Sequence, residues 1–353
     1  MSTAPTYAVV IPTIGRPCLG DCLAALARSA GPGPYEVVVV DDRPGSPDVL
    51  PPLSLEALGE LRGRARLLRS GGRGPAAARN TGWRTVSAPW VVFLDDDVRV
   101  TPAWRERLGA DLSGVPPWVG GVQGVLDVPL PAGRRPTDWE RGTAGLAGAR
   151  WATADMAYRK AALAGAGGFD ERFPRAFRED ADLALRVMAA GWLLERGTRV
   201  TRHPVRPAGP WVSLRQQAGN ADDALMVRLH GRDWWQRAEA PRGRLRRHAA
   251  VTAAGAAAAA FTLARRPRTS TAAALVWAVG TTEFAWARIA PGPRTPREVV
   301  AMAATSVAVP PLAVWHRLRG AWRHRGQQPL PVEPSAPAPV CPERPAAQKG
   351  PVA

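Results

Sequence analysis

Unbroken apolar runs alternate with helical periodicity through the first hundred residues. Tyr7-Ala8-Val9-Val10-Ile11-Pro12 and Tyr35-Glu36-Val37-Val38-Val39-Val40-Asp41-Asp42 are β-branched runs without polar alternation, the pattern of strands covered on both faces. Between them Leu19, Leu23, Leu26 and Ala27 recur at helical spacing until Gly31, Gly33 and Pro34 intervene. This predicts a helix over 19–30 and a first β-α-β unit. A third strand is predicted near Arg66–Leu68 and a helix over 75–86. A further buried strand, Trp90–Leu94, runs into Asp95-Asp96-Asp97. Such alternation predicts an α/β fold with a doubly wound, mostly parallel, Rossmann-like sheet.

The pattern weakens over 115–150, which is rich in Gly and Pro and reads as irregular. It returns at 179–192, where positions 181, 185, 188 and 192 share one helical face and Gly191 closes the helix. Glu179 and Asp180 then lie at that helix's N-terminus, where the helix dipole favours an ionised carboxylate. From about 245, Ala-rich apolar stretches at 249–264, 271–282 and 299–315 alternate with Arg clusters, the last interrupted by Pro310-Pro311. None supplies a run of strongly hydrophobic residues of the length a membrane span needs. The Pro-, Ala- and Gln-rich residues after 326 read as disordered. The expected organisation is a catalytic domain over 1–240, a basic helical, membrane-associated appendage over 241–325, and a tail over 326–353.

Charge sharpens this division. The net charge is +17. Residues from 241 onward carry sixteen Lys and Arg against four Asp and Glu, so most of the excess sits there. Nearly all of it is Arg, since Lys occurs only at Lys160 and Lys349. Arg242, Arg244, Arg246 and Arg247 precede the first apolar stretch, and Arg265, Arg266 and Arg268 follow it. Helices edged in this way suit an anionic membrane surface; a soluble helical appendage with an Arg-rich exterior and true membrane spans are the alternatives. Nucleic acid is not an expected partner, because no aromatic-basic reading motif is present. Cys18, Cys22 and Cys341 form neither a metal-type pair nor a disulfide framework,. With no basic or long apolar leader at the N-terminus, a cytoplasmic location is expected, peripheral on the inner face of the cell membrane.

Asp41, Asp42, Asp95, Asp96 and Asp97 fall at the carboxyl ends of predicted strands, where open α/β sheets bind ligands. Three adjacent carboxylates repel unless a cation offsets them, and oxygen donors favour Mg2+ or Mn2+. Mg2+ commonly completes its shell with substrate phosphates, so the cluster predicts a metal–diphosphate site. A solvated acidic turn or a helix N-cap would leave the same trace.

Val-Ile-Pro-Thr at 10–13, Val-Val-Val-Asp-Asp at 38–42, Gly-Pro-Ala-Ala-Ala-Arg-Asn-Thr-Gly at 74–82 and Phe-Leu-Asp-Asp-Asp at 93–97 occur in that order. Gly-Gly-Phe-Asp-Glu at 167–171 and Glu179-Asp180 follow. Over roughly residues 7–235 the chain resembles the family 2 glycosyltransferases, whose fold is GT-A and whose Asp-x-Asp motif matches Asp95-Asp96-Asp97. The resemblance implies an inverting, metal-dependent transfer from a nucleotide-diphosphate sugar to an acceptor hydroxyl, with a cell-envelope or lipid-linked glycan as the expected acceptor. It implies that Thr13, Asp42, Arg79, Asn80, Asp95 and Asp96 surround the donor nucleotide. Asp97 binds the metal, joined by His203 of Thr201-Arg202-His203-Pro204. Asp155 and Glu179 touch sugar or acceptor, and Asp180 is the general base. The competing enzyme readings are a nucleotidyltransferase, for which Gly15-Arg16 makes a poor phosphate loop, and a retaining transferase on the same fold.

Overall fold

The computed structural model describes residues 5–46 and 50–334; Cys341 and the tail beyond 334 lie outside the described residues. The chain begins with β1 (Tyr7–Thr13), α1 (Cys18–Arg28), β2 (Glu36–Asp41), a 3-10 segment at Glu56–Arg64, β3 (Ala65–Arg69), α2 (Pro75–Trp83) and β4 (Trp90–Leu94). It continues through β5 (Arg99–Val100), α3 (Trp104–Leu112), β6 (Val119–Asp127), α4 (Asp138–Ala144), β7 (Asp155–Arg159), α5 (Lys160–Gly165), α6 (Glu179–Ala189) and β8 (Leu193–Arg202). The rest is helical: α7 (Val212–Gln216), α8 (Gly219–His230), α9 (Trp234–Arg237), α10 (Leu245–Leu263), α11 (Pro267–Ile289) and α12 (Pro296–Arg323).

One eight-stranded sheet runs β3-β2-β1-β4-β7-β6-β8-β5. Strands β3, β2, β1 and β4 are mutually parallel, as are β6 and β8. Strand β7 is antiparallel to both neighbours, and β5 to β8. The sheet is therefore mixed, with its purely parallel part at the N-terminal half. Both faces are covered, which is why β1 and β2 lack polar alternation. Val9 and Ile11 join α1 and α3 through Leu23, Leu26, Trp104 and Leu108 on one face. Ala8 and Val10 join α2, α5 and α6 through Trp83, Leu163, Leu183 and Val187 on the other.

Three expectations change. The 115–150 region holds the nine-residue strand β6 and the helix α4. Gly120 and Gly124 weakened its hydrophobic signal, and the fold needs them: a Cβ there would stand 2.7 Å from the Trp192 side chain and 2.4 Å from Asp155 Oδ2, respectively. Trp192 lies beyond α6, since the chain turns at Gly191 with φ +94° and enters β8. Finally, α12 passes through Pro310-Pro311 as one helix, although each proline removes an intrahelical hydrogen bond and crowds the carbonyl one turn earlier. By length and composition α12 is the one helix among the described residues that could cross a membrane. Its face bearing Ala301, Met302, Thr305 and Val309 is buried, and the helix packs against α7, α8, α10 and α11. The buried Arg288 of α11 fastens this layer to the sheet domain: it donates to Asp138 Oδ2 of α4 and to the hydroxyls of Thr305 and Ser306 of α12.

Candidate active site

The acidic cluster sits where β4 ends, beside the end of β1. Asp96 is turned inward: Thr13 Oγ1 donates to its Oδ2 at 2.6 Å and Arg16 Nη1 to its Oδ1 at 2.7 Å. With both oxygens held, Asp96 ties the β1 loop to the β4 loop. Thr13 is correspondingly buried and committed to that bond. Asp95 and Asp97 project the other way. Together with His203, which follows β8, they bring one ligand atom each to within 4.8 Å of one another. Two carboxylates and an imidazole could hold a divalent cation. Burial first, and then the neighbouring Asp95, raise the Asp97 pKa above the usual carboxylate range. Arg206 Nε lies 2.9 Å from Asp97 Oδ2 and His203 Nε2 lies 3.5 Å from Asp97 Oδ1, so a positive group already answers this carboxylate.

A second cluster adjoins the first. Arg79 of α2, 2% exposed, donates to Asp95 Oδ1 at 2.7 Å and to Glu179 Oε1 at 2.9 Å. Glu179 opens α6, and its other carboxylate oxygen is buried without a partner. Burial, then the charge of Asp180, push the Glu179 pKa up to about 8. Asp180 is partly accessible, and its Oδ1 accepts from the Ala181 backbone N–H at 2.7 Å. Its pKa is also raised, by burial first, so desolvation outweighs the helix-terminus effect that favours ionisation. A carboxylate with a raised pKa is a stronger proton acceptor. The preceding residue, Arg178, has the left-handed φ of +77°, a conformation costing a non-glycine residue about 1–3 kcal/mol. Its side chain is held by Asp223 at 2.8 Å and lies over the rings of Phe177 and Trp234. This strain sets the entry of α6 and thus the place of Asp180.

Three predicted contact residues are bonded to the scaffold. Asp155 is fully buried; its carboxylate accepts from Arg199 Nε at 2.7 Å, Trp104 Nε1 at 2.7 Å and Thr201 Oγ1 at 2.6 Å. It therefore has no face toward the cleft, which corrects the expected sugar or acceptor contact. Asn80 bonds the Phe169 N–H and C=O and Glu171, so it clamps the Gly-Gly-Phe-Asp-Glu loop. Asp42 accepts from Ser70 Oγ and from the N–H groups of Arg73 and Gly74. It thereby shapes the loop entering α2, while Asp41 is held by Arg43. Arg16 and Arg206 were not anticipated as site residues. Each lies in a loop far in sequence from its carboxylate, and no local motif announces such a pairing.

Comparison with known proteins places this geometry. Residues 8–127 match the family model described as Glycosyl transferase family 2. Over 118 residues the chain is 37% identical to a validoxylamine A glucosyltransferase of Streptomyces hygroscopicus subsp. limoneus. That match takes in 33% of this chain and spans 26% of the relative's own length. A mannosyltransferase of Pyrobaculum calidifontis, solved in complex with GDP-Man and Mn2+, is similar in fold at TM-score 0.52 and 17% identity. The similarity covers 91% of this chain and 88% of that one, so it extends through the C-terminal helices.

Proposed function

We propose, from the match of residues 8–127 to the family model described as Glycosyl transferase family 2, that the chain moves a sugar from a nucleotide-diphosphate donor to an acceptor hydroxyl with inversion. The observation carrying this reading is the convergence of Asp95, Asp97 and His203 beside the Arg79–Glu179 pair and Asp180. Asp180 takes the proton of the acceptor hydroxyl as its oxygen bonds to the anomeric carbon. The bond from that carbon to the diphosphate breaks, and the nucleoside diphosphate leaves from the opposite face. Arg79 holds Asp95 and Glu179 in place from below. Asp95, Asp97 and His203 would hold a divalent cation, which would supply Lewis-acid stabilisation of the leaving diphosphate.

The test is calorimetric titration of the full chain with UDP, dTDP and GDP, with and without Mn2+, beside Asp97→Ala. One nucleotide is expected to bind with metal and to lose that gain in Asp97→Ala. A folded chain that binds none of the three under either condition defeats the reading.

The C-terminal helices support a peripheral seat on an anionic membrane surface, consistent with a lipid-linked acceptor. Trp286, Trp315, Leu318 and Trp322 are well exposed, and Arg319, Arg323 and Arg325 stand among them. Aromatic and cationic side chains together suit a headgroup layer. Vesicles containing phosphatidylglycerol should sediment the full chain where neutral vesicles do not; equal recovery with both would remove the surface-charge argument.

A further inference from the structure

We propose, resting on the transferase reading, that Asp223 of α8 is a positioning residue for the proton acceptor Asp180, acting through Arg178. The segment that leads into α6 is anchored along α8. Phe173 is buried in one cluster with Leu225, Met226 and Leu229 of α8 and Trp234 of α9. Arg175 donates to the Ala218 carbonyl at 2.8 Å and to Asp222 Oδ2 at 2.7 Å. The Phe177 ring lies so close to Gly219, the first residue of α8, that a Cβ there would stand 2.8 Å from it. Arg178 closes the series, its Nε donating to Asp223 Oδ1 at 2.8 Å.

Arg178 is the joint of this chain of contacts. Its carbonyl accepts from the Asp182 N–H at 2.9 Å, the first hydrogen bond of α6,. Its backbone conformation therefore fixes the direction in which Glu179 and Asp180 leave the loop. That conformation is left-handed, φ +77°, and an arginine adopts it only where the surroundings compensate. The side chain supplies the compensation: besides its bond to Asp223, its Cζ lies 4.3 Å from the Phe177 ring centroid and 4.8 Å from that of Trp234,. The partner helix is itself fixed. A Cβ on Gly320 of α12 would stand 2.6 Å from Ala221 Cα of α8, and His230 Nε2 of α8 lies 2.8 Å from Asp182 Oδ1 of α6. Helix α6 is thus set from two sides: Leu183, Ala184 and Val187 pack against the sheet, and the joint at Arg178 ties its first turn to α8. Removing the Asp223 carboxylate takes away the charge partner of the guanidinium. Arg178 then relaxes toward an ordinary backbone conformation and turns Asp180 away from its place. Asp223 stands outside the group formed by Asp95, Asp97 and His203, so donor binding does not depend on it.

The test is release of nucleoside diphosphate from UDP-glucose, UDP-N-acetylglucosamine, dTDP-glucose and GDP-mannose by the full chain with Mn2+, for wild type, Asp223→Ala and Asp223→Glu. Water here takes the place of the acceptor hydroxyl: its oxygen bonds to the anomeric carbon, the bond to the diphosphate breaks, and Asp180 takes the proton. Calorimetric binding of UDP, dTDP and GDP on the same samples gives the share of chain with an intact donor site. Asp223→Ala is expected to lower kcat about 10- to 100-fold, the scale of a displacement of about 1 Å, with KM and binding stoichiometry within about twofold of wild type. Asp223→Glu keeps a carboxylate for Arg178 and is expected to recover most of the loss. An unchanged kcat in Asp223→Ala overturns the proposal. So does a loss matched by a fall in binding stoichiometry, which marks general damage to the fold, or one that Asp223→Glu does not recover, which marks a cause other than the carboxylate. A wild type that binds nucleotide and releases none leaves Asp180 without a proton to accept, and overturns it too. One that neither binds nor releases nucleotide fails the transferase reading itself.

Discussion

Arg79 and Arg199 are both buried guanidiniums gripping two carboxylates, Arg79 holding Asp95 and Glu179, Arg199 holding Asp155 and Asp111. Around Arg199 the carboxylate at the start of β7 is saturated: Asp155 also accepts from Trp104 and Thr201. Around Arg79 the account stays open. One Glu179 oxygen and Arg79 Nε are buried without partners, Asp95 keeps a solvent-facing side, and the backbone at Arg178 is strained. The same residue chemistry thus builds a closed strut in one place and an unfinished site in the other. Completed hydrogen bonding marks a scaffold; incomplete bonding beside a cleft marks a place where a ligand finishes the structure.

The largest effect should separate the two clusters cleanly. Asp155→Ala removes the partner of a fully buried Arg199 and strands Trp104 Nε1, which should cost about 3–5 kcal/mol of stability. Asp180→Asn should leave stability within about 1 kcal/mol, in the range of an ordinary substitution away from the core, and lower transfer by about 10^2–10^4-fold. Urea denaturation and a transfer assay on both variants decide the matter. A stable Asp155→Ala protein lacking only activity, or an Asp180→Asn protein that unfolds, would reverse the division.

That division was only half legible in the sequence. Strands β1, β2 and β4 could be read because both faces are covered, leaving unbroken apolar runs ending in acids. The family resemblance implied that Asp97 and His203 share a metal and that Asp95 meets the donor, and the structure brings ligand atoms of all three together. It could not be read that Asp155 faces inward, because that depends on β6, whose glycines masked it as a strand. Nor could the loop-shaping bonds of Asn80 and Asp42 be read, since a carboxamide or carboxylate that shapes a loop looks the same in one dimension as one that meets a ligand. The role of α12 was hidden for a different reason. Its Ala-rich composition and paired prolines suggested an interrupted stretch, whereas Arg288 of α11 bonds both Asp138 of α4, 150 positions away, and the Thr305 and Ser306 hydroxyls of α12.

A smaller effect probes the open cluster through pH. The native pKa of Glu179 is about 8, above the value near 4.3 expected of an unfolded glutamate. The folded state therefore binds this proton more tightly than the unfolded state does. Its contribution to stability is full below the unfolded pKa and is lost as pH rises through about 8. The slope is at most about 1.4 kcal/mol per pH unit for one group. Asp180, raised by burial, adds a slope of the same sign in both wild type and a Glu179→Gln variant. Gln keeps an oxygen for Arg79 but cannot titrate. Wild type should thus lose more stability than Glu179→Gln between pH 5.5 and 8, measured by denaturant midpoint without metal or nucleotide. Parallel curves would mean that Glu179 is ionised throughout, balanced by Arg79 as Asp155 is by Arg199, and the contrast between the two clusters would then rest on Asp180 and Asp95 alone.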